Sequence, residues 1–394
     1  MAFHIPGGLA MKTIRQQFSV SYSFPVIFTR AAFSDANPAL GGVLSGCGSP
    51  CRVLAVIDSG VAAALPGLAE QVVRYAWLHR EAMALVLPPV IVRGGEACKE
   101  GATEVLKVQA LVQKYGLCRH CCILAIGGGA LLDAVGFAAA TAHRGIRLIR
   151  KPTTTLAMND AGVGVKNGIN AFGRKNFTGC FAPPLAVIND FDFLNPLPER
   201  ELRCGIAEAV KVALIRDRGF FEFLFQARGD LALFSQQAME QMITRCAELH
   251  LEGIRQGGDP FETGSSRPLD FGHWSAHKLE ESTRGEIRHG EAVAIGIALD
   301  SLYSLRAGLI SEQELSRILS LLAEVGFTLY HEALARIDIS AALREFREHL
   351  GGELAIPLLN GIGGRVDRSD IDPKLYRRCI ETLAARSEDA GGSR

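Results

Sequence analysis

The run CCILAIGGGALLDAVGFAAATAHRG, from Cys121 to Gly145, constrains this chain more than any other stretch. Six consecutive apolar residues reach three glycines, and an Ala-rich helical pattern follows. Six residues are too few to cross a bilayer, and flanking glycine argues against a longer helix. The segment reads as a strand buried on both faces, a tight turn and a helix packed back onto the sheet. The theme recurs. VLAVI (Val53 to Ile57) ends in Asp58, Ser59 and Gly60; PPVIV follows a helical stretch and a proline break; ATEVLKVQALVQKYGL repeats apolar residues at helical spacing and stops at Gly116. Such alternation implies a parallel sheet covered by helices on both faces, a Rossmann-like α/β domain.

The pattern changes after about Asp190. NDFDFLNPLPEREL carries Pro196 and Pro198 and reads as a hinge between domains, and mostly helical sequence follows it. The expected division is an α/β domain over residues 1–195 and a helical domain over 196–394, the last ten residues forming a frayed polar tail. Length is no obstacle, since 394 residues suffice for two domains. Lys plus Arg (42) balances Asp plus Glu (42), so no basic excess points to nucleic acid or a membrane surface. Any phosphate site must therefore be a local pocket. No run of 18 uncharged apolar residues occurs, and the first residues lack a signal-peptide pattern. Ten scattered cysteines suit a reducing compartment, so the expectation is a cytoplasmic protein. Cys118, Cys121 and Cys122 (CRHCC) read as the start of a buried strand rather than a metal site, because no second CxxC pair accompanies them.

Polar residues gather where strands end. Gly127 to Gly129 would let the backbone approach a pyrophosphate, with the amides of the following helix as donors. Asp58 could accept from a ribose hydroxyl; Glu96 and Lys99, then the hydroxyls of PTTT (Pro152 to Thr155), close two further strands. The spacing is not GxGxxG, so an ordinary Rossmann dehydrogenase is a poor match, but dinucleotide binding is the better reading. In the helical half, Glu208 and Lys211 share one face of an apolar helix, where an acid needs a metal or a basic partner. His273 and His277 lie four apart in DFGHWSAHKLE, and His289 opens a later helix. One Glu and two His with an open fourth position form a catalytic zinc pattern. DAGVGVKNGINAFGRKN, with Asp160, Lys166, Asn170, Lys175 and Asn176 among glycines, reads as a loop folded around a small anion, and Arg144 precedes it.

In order and spacing these motifs resemble the dehydroquinate synthase-like family of sugar phosphate cyclases. GGGxxxD with Arg144 eleven residues later, PTT, Asp160 with Lys166, the KN at Lys175–Asn176, AEAVK, GHxxxH and HGEAVAIG all agree. The resemblance implies an NAD domain, a helical metal domain, a divalent metal (zinc or cobalt), a small sugar phosphate substrate and a homodimer. It implies Glu208, His273 and His289 as metal ligands, with His277 on the substrate side. Lys211, Asp160, Lys166, Lys175, Asn176 and Arg144 would line the substrate pocket. Asp58, Glu96, Lys99, Gly128, Gly129, Asp133, Thr153 and Thr154 would hold NAD, with Asp160, Lys166 and Lys175 also within its reach.

The departures bear on the substrate. Dehydroquinate synthases read RxxLNxGHxxxH; here the arginine position is Ser266, Arg267 is displaced by one, and the asparagine is Asp270. ELK becomes ELH, with His250, and the late KK motif has no counterpart in LLNGIGGRVDRSD. A substrate carboxylate would be poorly paired, and burying an unpaired charge costs several kcal/mol. The expected substrate is therefore a neutral seven-carbon ketose phosphate, sedoheptulose 7-phosphate. As in the 2-epi-valiolone synthase branch, it would be closed to a cyclitol by transient oxidation, phosphate elimination, reduction and aldol closure. The alternatives are 3-dehydroquinate synthase itself, with Arg267 holding the carboxylate, and a metal-dependent polyol dehydrogenase.

Overall fold

The computed structural model describes residues 13–48, 50–256, 260–261 and 268–391. Strands β1 (Val26–Thr29), β2 (Cys51–Asp58), β3 (Met83–Leu85), β4 (Val90–Val92), β5 (Cys122–Gly127), β6 (Arg147–Pro152) and β9 (Ala186–Asp190) form one parallel sheet. Their order is β1-β9-β6-β5-β2-β3, with β4 also on β2. Side chains alternate between faces, so the unbroken apolar runs bury both. Leu54, Val56, Ile123 and Ala125 meet the helices Thr103–Lys114 and Gly129–Thr141. Val53, Ala55, Ile57, Leu124 and Ile126 belong to a second core that continues into the helical half. Each Val, Leu or Ile among them contributes roughly 1.5–3 kcal/mol on burial, and each Ala less.

From β2 the chain runs outward to β3 and β4, then returns to the other side of β2 as β5. The strand order reverses between β2 and β5, and a crevice opens there beyond the carboxyl ends, at Asp58 and Gly127.

Beyond Glu199 the described residues are helical apart from the hairpin Ile356–Leu359/Arg365–Arg368. The helix Glu199–Arg216 is buried without interruption from Cys204 to Ile215 and forms the axis of this half. Three expectations change. The two-proline segment is not a loose hinge: Phe191, Phe193 and Leu194 are buried in the core shared by both halves, because two phenylalanines and a leucine have more to gain from burial than from a solvated linker. The expected frayed tail is helical as far as Gly391, in the helix Pro373–Gly391, as its low Pro and Gly content to Ala390 allows; residues 392–394 lie outside the described residues. The Asp160–Asn176 stretch is not simply an anion-binding loop. It begins in a π-helical turn, Ala157–Ala161, and becomes the antiparallel hairpin β7 (Lys166–Ala171) and β8 (Arg174–Phe181). Phe172 and Gly173 make its turn, both at positive φ.

Candidate active site

On the sheet side, Asp58 caps the helical turn after β2 and accepts from Gly60 N at 2.7 Å and Gly95 N at 3.2 Å. Gly94 is obligatory beside it, since a Cβ there would fall 1.9 Å from an Asp58 carboxylate oxygen. Gly128 precedes the 13-residue helix Gly129–Thr141, whose first amides have no intrahelical acceptor and point to the crevice. Thr153 follows β6 with a buried hydroxyl that has no hydrogen-bond partner, while Thr154 Oγ1 accepts from Ala157 N at 3.2 Å. Lys99 is buried against Asp133 at 2.8 Å and also donates to Asn176. Burial alone would lower the Lys99 pKa, but Asp133 and Glu96 raise it above the usual value, so the ammonium stays charged. Glu96 is exposed and accepts from Asn170, which also receives Asn176 N, so the hairpin is tied to this crevice.

On the helical side, Glu208 Oε1 lies 3.4 Å from both His273 Nε2 and His289 Nε2. The three donors are mutually within 4.8 Å. Glu208 is wholly buried, and neither carboxylate oxygen has a hydrogen bond of normal geometry, although Lys211 forms an ion pair with it. Burial would raise the Glu208 pKa, yet Lys211, His273 and His289 hold it well below the usual range. The histidines are oriented through their other nitrogens. His273 Nδ1 meets the Phe271 carbonyl at 3.1 Å, and His289 Nδ1 meets Glu280 Oε2 at 3.3 Å. Such partners turn Nε2 toward a metal and raise its basicity. A buried anion without adequate donors and two imidazoles aimed at it fit a divalent cation.

Backbone proximity makes this convergence possible. Gly272 begins the His273 helix at φ 77° and lies against Gly296 of the helix His289–Arg306. A Cβ on Gly296 would sit 1.9 Å from the Gly272 carbonyl oxygen. Asp300 secures the junction, accepting from Gly272 N (2.9 Å), Trp274 Nε1 (3.1 Å) and Tyr376 OH (2.8 Å).

His277 stands outside the three-donor group, its ring 5.5 Å from that of His273. Burial, together with the neighbouring histidines, pushes it down to about 3, so it is neutral at physiological pH. Half-buried Asp270 acts electrostatically on both Lys211 and His277. Asp160 Oδ1 lies 3.0 Å from His250 Nδ1, and Asp160 also acts on Lys211. Lys175 is partly exposed and pairs with Glu280 at 3.1 Å; Lys166, also exposed, begins the same hairpin.

Arg144 is not brought to this site by its own chain. It is exposed at the far end of the Gly129–Thr141 helix, roughly 20 Å from Gly129, because an α-helix rises 1.5 Å per residue. Arg267 lies outside the described residues. Two contributors went unread in the sequence. Glu280 orients His289 and was hidden in an ordinary acidic helix end. Arg150, fully buried, donates to Gly164 O (2.8 Å), Lys166 O (2.8 Å) and Asn167 Oδ1 (2.7 Å), fixing the entry to the hairpin. Its signal was present, since consecutive Arg150 and Lys151 in a strand buried on both faces demand partners.

A parallel-sheet nucleotide crevice facing a helical half with a Glu-His-His cluster defines a class of dinucleotide- and metal-dependent enzymes. Family models narrow it: residues 89–204 match the 3-dehydroquinate synthase N-terminal model and residues 205–348 the C-terminal one. The chain is 34% identical over 307 residues to a 3-dehydroquinate synthase from Acidithiobacillus ferrooxidans, covering 78% of this chain and 82% of that one. It is 33% identical over 376 residues to the 2-epi-5-epi-valiolone synthase of Streptomyces hygroscopicus subsp. jinggangensis, covering 92% and 88%. The structure of that synthase with NAD+ and Zn2+ bound superposes with TM-score 0.84 at 32% identity, over 94% of this chain and 99% of the other. A 2-deoxy-scyllo-inosose synthase complexed with carbaglucose-6-phosphate, NAD+ and Co2+ gives 0.73 at 25% identity, over 91% and 96%. The chain belongs to the 3-dehydroquinate synthase family and is an enzyme of its sugar phosphate cyclase group. None of its described helices is long and apolar enough to cross a membrane.

Proposed function

We propose that this enzyme cyclises sedoheptulose 7-phosphate to a seven-carbon cyclitol of the 2-epi-valiolone type with release of phosphate. Asp270 carries the reading: it acts electrostatically on both Lys211 and His277, and an acid in that position would disfavour a carboxylate-bearing substrate. His250 supports it, since its Nδ1 is engaged with Asp160.

Glu208, His273 and His289 would hold the divalent metal, and Asp58, the Gly127–Gly129 turn, Thr153 and the Lys99–Asp133 pair the NAD; bound, they supply Lewis acidity and a reversible hydride acceptor. The protein's own side chains do the rest. Lys211 stays protonated: burial disfavours its charge, but Glu208, Asp160 and Asp270 more than restore it. It can donate to a substrate oxygen as negative charge develops there. Neutral His277 can accept or donate a hydrogen bond to a hydroxyl without adding charge. Lys166, Lys175 and Asn176, on the hairpin, would receive the departing phosphate. Ten unbridged cysteines suit a reducing cytoplasm, and the family resemblance points to a homodimer, which sedimentation equilibrium would test.

Purified protein should be incubated with NAD+, Co2+ and either sedoheptulose 7-phosphate or the seven-carbon keto-acid phosphate used by dehydroquinate synthases. Phosphate release from the ketose phosphate, with no net NADH, is expected, and NMR of the product gives its stereochemistry. Turnover of the keto acid alone would overturn the proposal in favour of 3-dehydroquinate synthase, a reading kept alive by the 34% identity to such an enzyme. Accumulating NADH without phosphate release would indicate a polyol dehydrogenase.

A further inference from the structure

At the opposite edge of the sheet, three thiols meet. Cys51 begins β2 and Cys122 begins β5, the strands whose other ends carry Asp58 and Gly127, so roughly 17–23 Å of strand separates them from the nucleotide crevice. Cys47 joins them just after the helix Ala39–Ser45. Cys51 Sγ is 3.3 Å from Cys122 Sγ, which is 4.0 Å from Cys47 Sγ, and all three sulfurs lie within 4.8 Å of one another. Cys122 does start a buried strand, as its apolar surroundings in the sequence require. Its partners come from CGSPC, some seventy residues upstream, rather than from CRHCC, where Cys118 and Cys121 form a separate contact at 3.6 Å.

We propose that Cys47, Cys51 and Cys122 form a second metal site, for a soft thiophilic ion such as Zn2+ or Cu+. Tetrahedral thiolate ligands at about 2.3 Å from a metal stand roughly 3.8 Å apart, and the observed spacings bracket that value. Two adjacent strands and the turn after the helix Ala39–Ser45 bring three sulfurs within 4.8 Å of one another, the ligand count of an incomplete tetrahedral or a trigonal thiolate site. Cys51 and Cys122 are buried, whereas half-buried Cys47 leaves an entry path and room for an exchangeable fourth ligand. Arg147 donates to the carbonyls of Cys47 (3.1 Å) and His120 (3.2 Å), which sets a guanidinium beside the cluster. Its charge offsets the single negative charge left by three thiolates around a dication.

The full-length protein, fully reduced and stripped of metal, should be titrated with Cd2+ while ultraviolet absorption is followed. One equivalent is expected to produce the thiolate-to-cadmium charge-transfer band, which a Glu-His-His site cannot give. Metal analysis after zinc loading should find two ions per chain, falling to one in Cys51→Ser and Cys122→Ser, both without the band. Glu208→Gln should also hold one ion but keep the band. If the buried serine variants do not fold, Cys47→Ser decides, with at least a tenfold weaker cadmium affinity expected. No band in the reduced native protein, a band unaltered in Cys47→Ser, or a Cys51–Cys122 disulfide as the only reaction of the cluster would overturn the proposal.

Discussion

Glu280 offers a direct measure of how far the metal donors depend on their surroundings. Its side chain is about 8% exposed; one oxygen meets His289 Nδ1 at 3.3 Å and the other Lys175 Nζ at 3.1 Å. Burial would raise the carboxyl pKa, but His289 and Lys175 outweigh it and hold Glu280 at about 2, so it is anionic at any working pH. Glu280→Ala removes the acceptor that orients His289 and strands two donors. Loss of such a partner costs 10–100-fold in metal affinity, about 1.4–2.7 kcal/mol. Glu280→Gln keeps an acceptor and loses only the charge, so it should fall near the tenfold end. Competition for Zn2+ against a chromophoric chelator gives both affinities, and activity measured against added metal should recover much of its loss at saturation. A dissociation constant for Glu280→Ala within twofold of native would refute the argument. So would lost activity that excess metal does not restore while affinity is unchanged.

Asp300 should make stability fall as pH rises. Burial pushes its pKa up to about 6, above roughly 3.9 when unfolded, so the folded chain binds the extra proton between these values. The stabilising contribution is complete below about pH 4 and lost through about pH 6, roughly 3 kcal/mol in all. Asp300→Asn should remove that slope in denaturant titrations compared with native protein, and cost about 1–3 kcal/mol by setting its amide N–H against the Gly272 N–H while its oxygen keeps Trp274 and Tyr376. Gly296→Ala should lower the melting temperature and zinc content together, since its Cβ would strike the Gly272 carbonyl that begins the His273 helix; overpacking of this kind costs about 1–3 kcal/mol. Asp270→Asn should move the ratio of kcat/KM for keto-acid phosphate over ketose phosphate upward by about tenfold, the effect of relieving one like-charge contact of about 1.4 kcal/mol. An unchanged ratio would remove Asp270 from substrate choice.

Local pattern was enough for the parallel sheet and for the crevice at its carboxyl edge. Apolar runs of strand length next to glycine turns leave few other ways to bury both faces, and polar residues at strand ends must then share one edge. It was also enough to mark Glu208 as needing a partner, because an acid inside an apolar helix cannot remain unpaired. Pattern did not decide which partners meet. Glu208 and His273 are 65 positions apart in the chain, and their Nε2–Oε1 approach depends on Gly272 seating against Gly296 and on the Asp300 hydrogen bonds. No periodicity encodes a contact between helices. For the same reason Arg144, a neighbour of the pocket in motif order, lies at the wrong end of its helix, while Glu280, in an unremarkable run of charge, reaches His289. The cysteines divide the same way: burial of Cys122 followed from its apolar strand, but its company of Cys47 and Cys51 arose only when β5 paired beside β2. Burial is a property of a residue and its immediate run, whereas a site is a property of distances between elements, which packing alone sets.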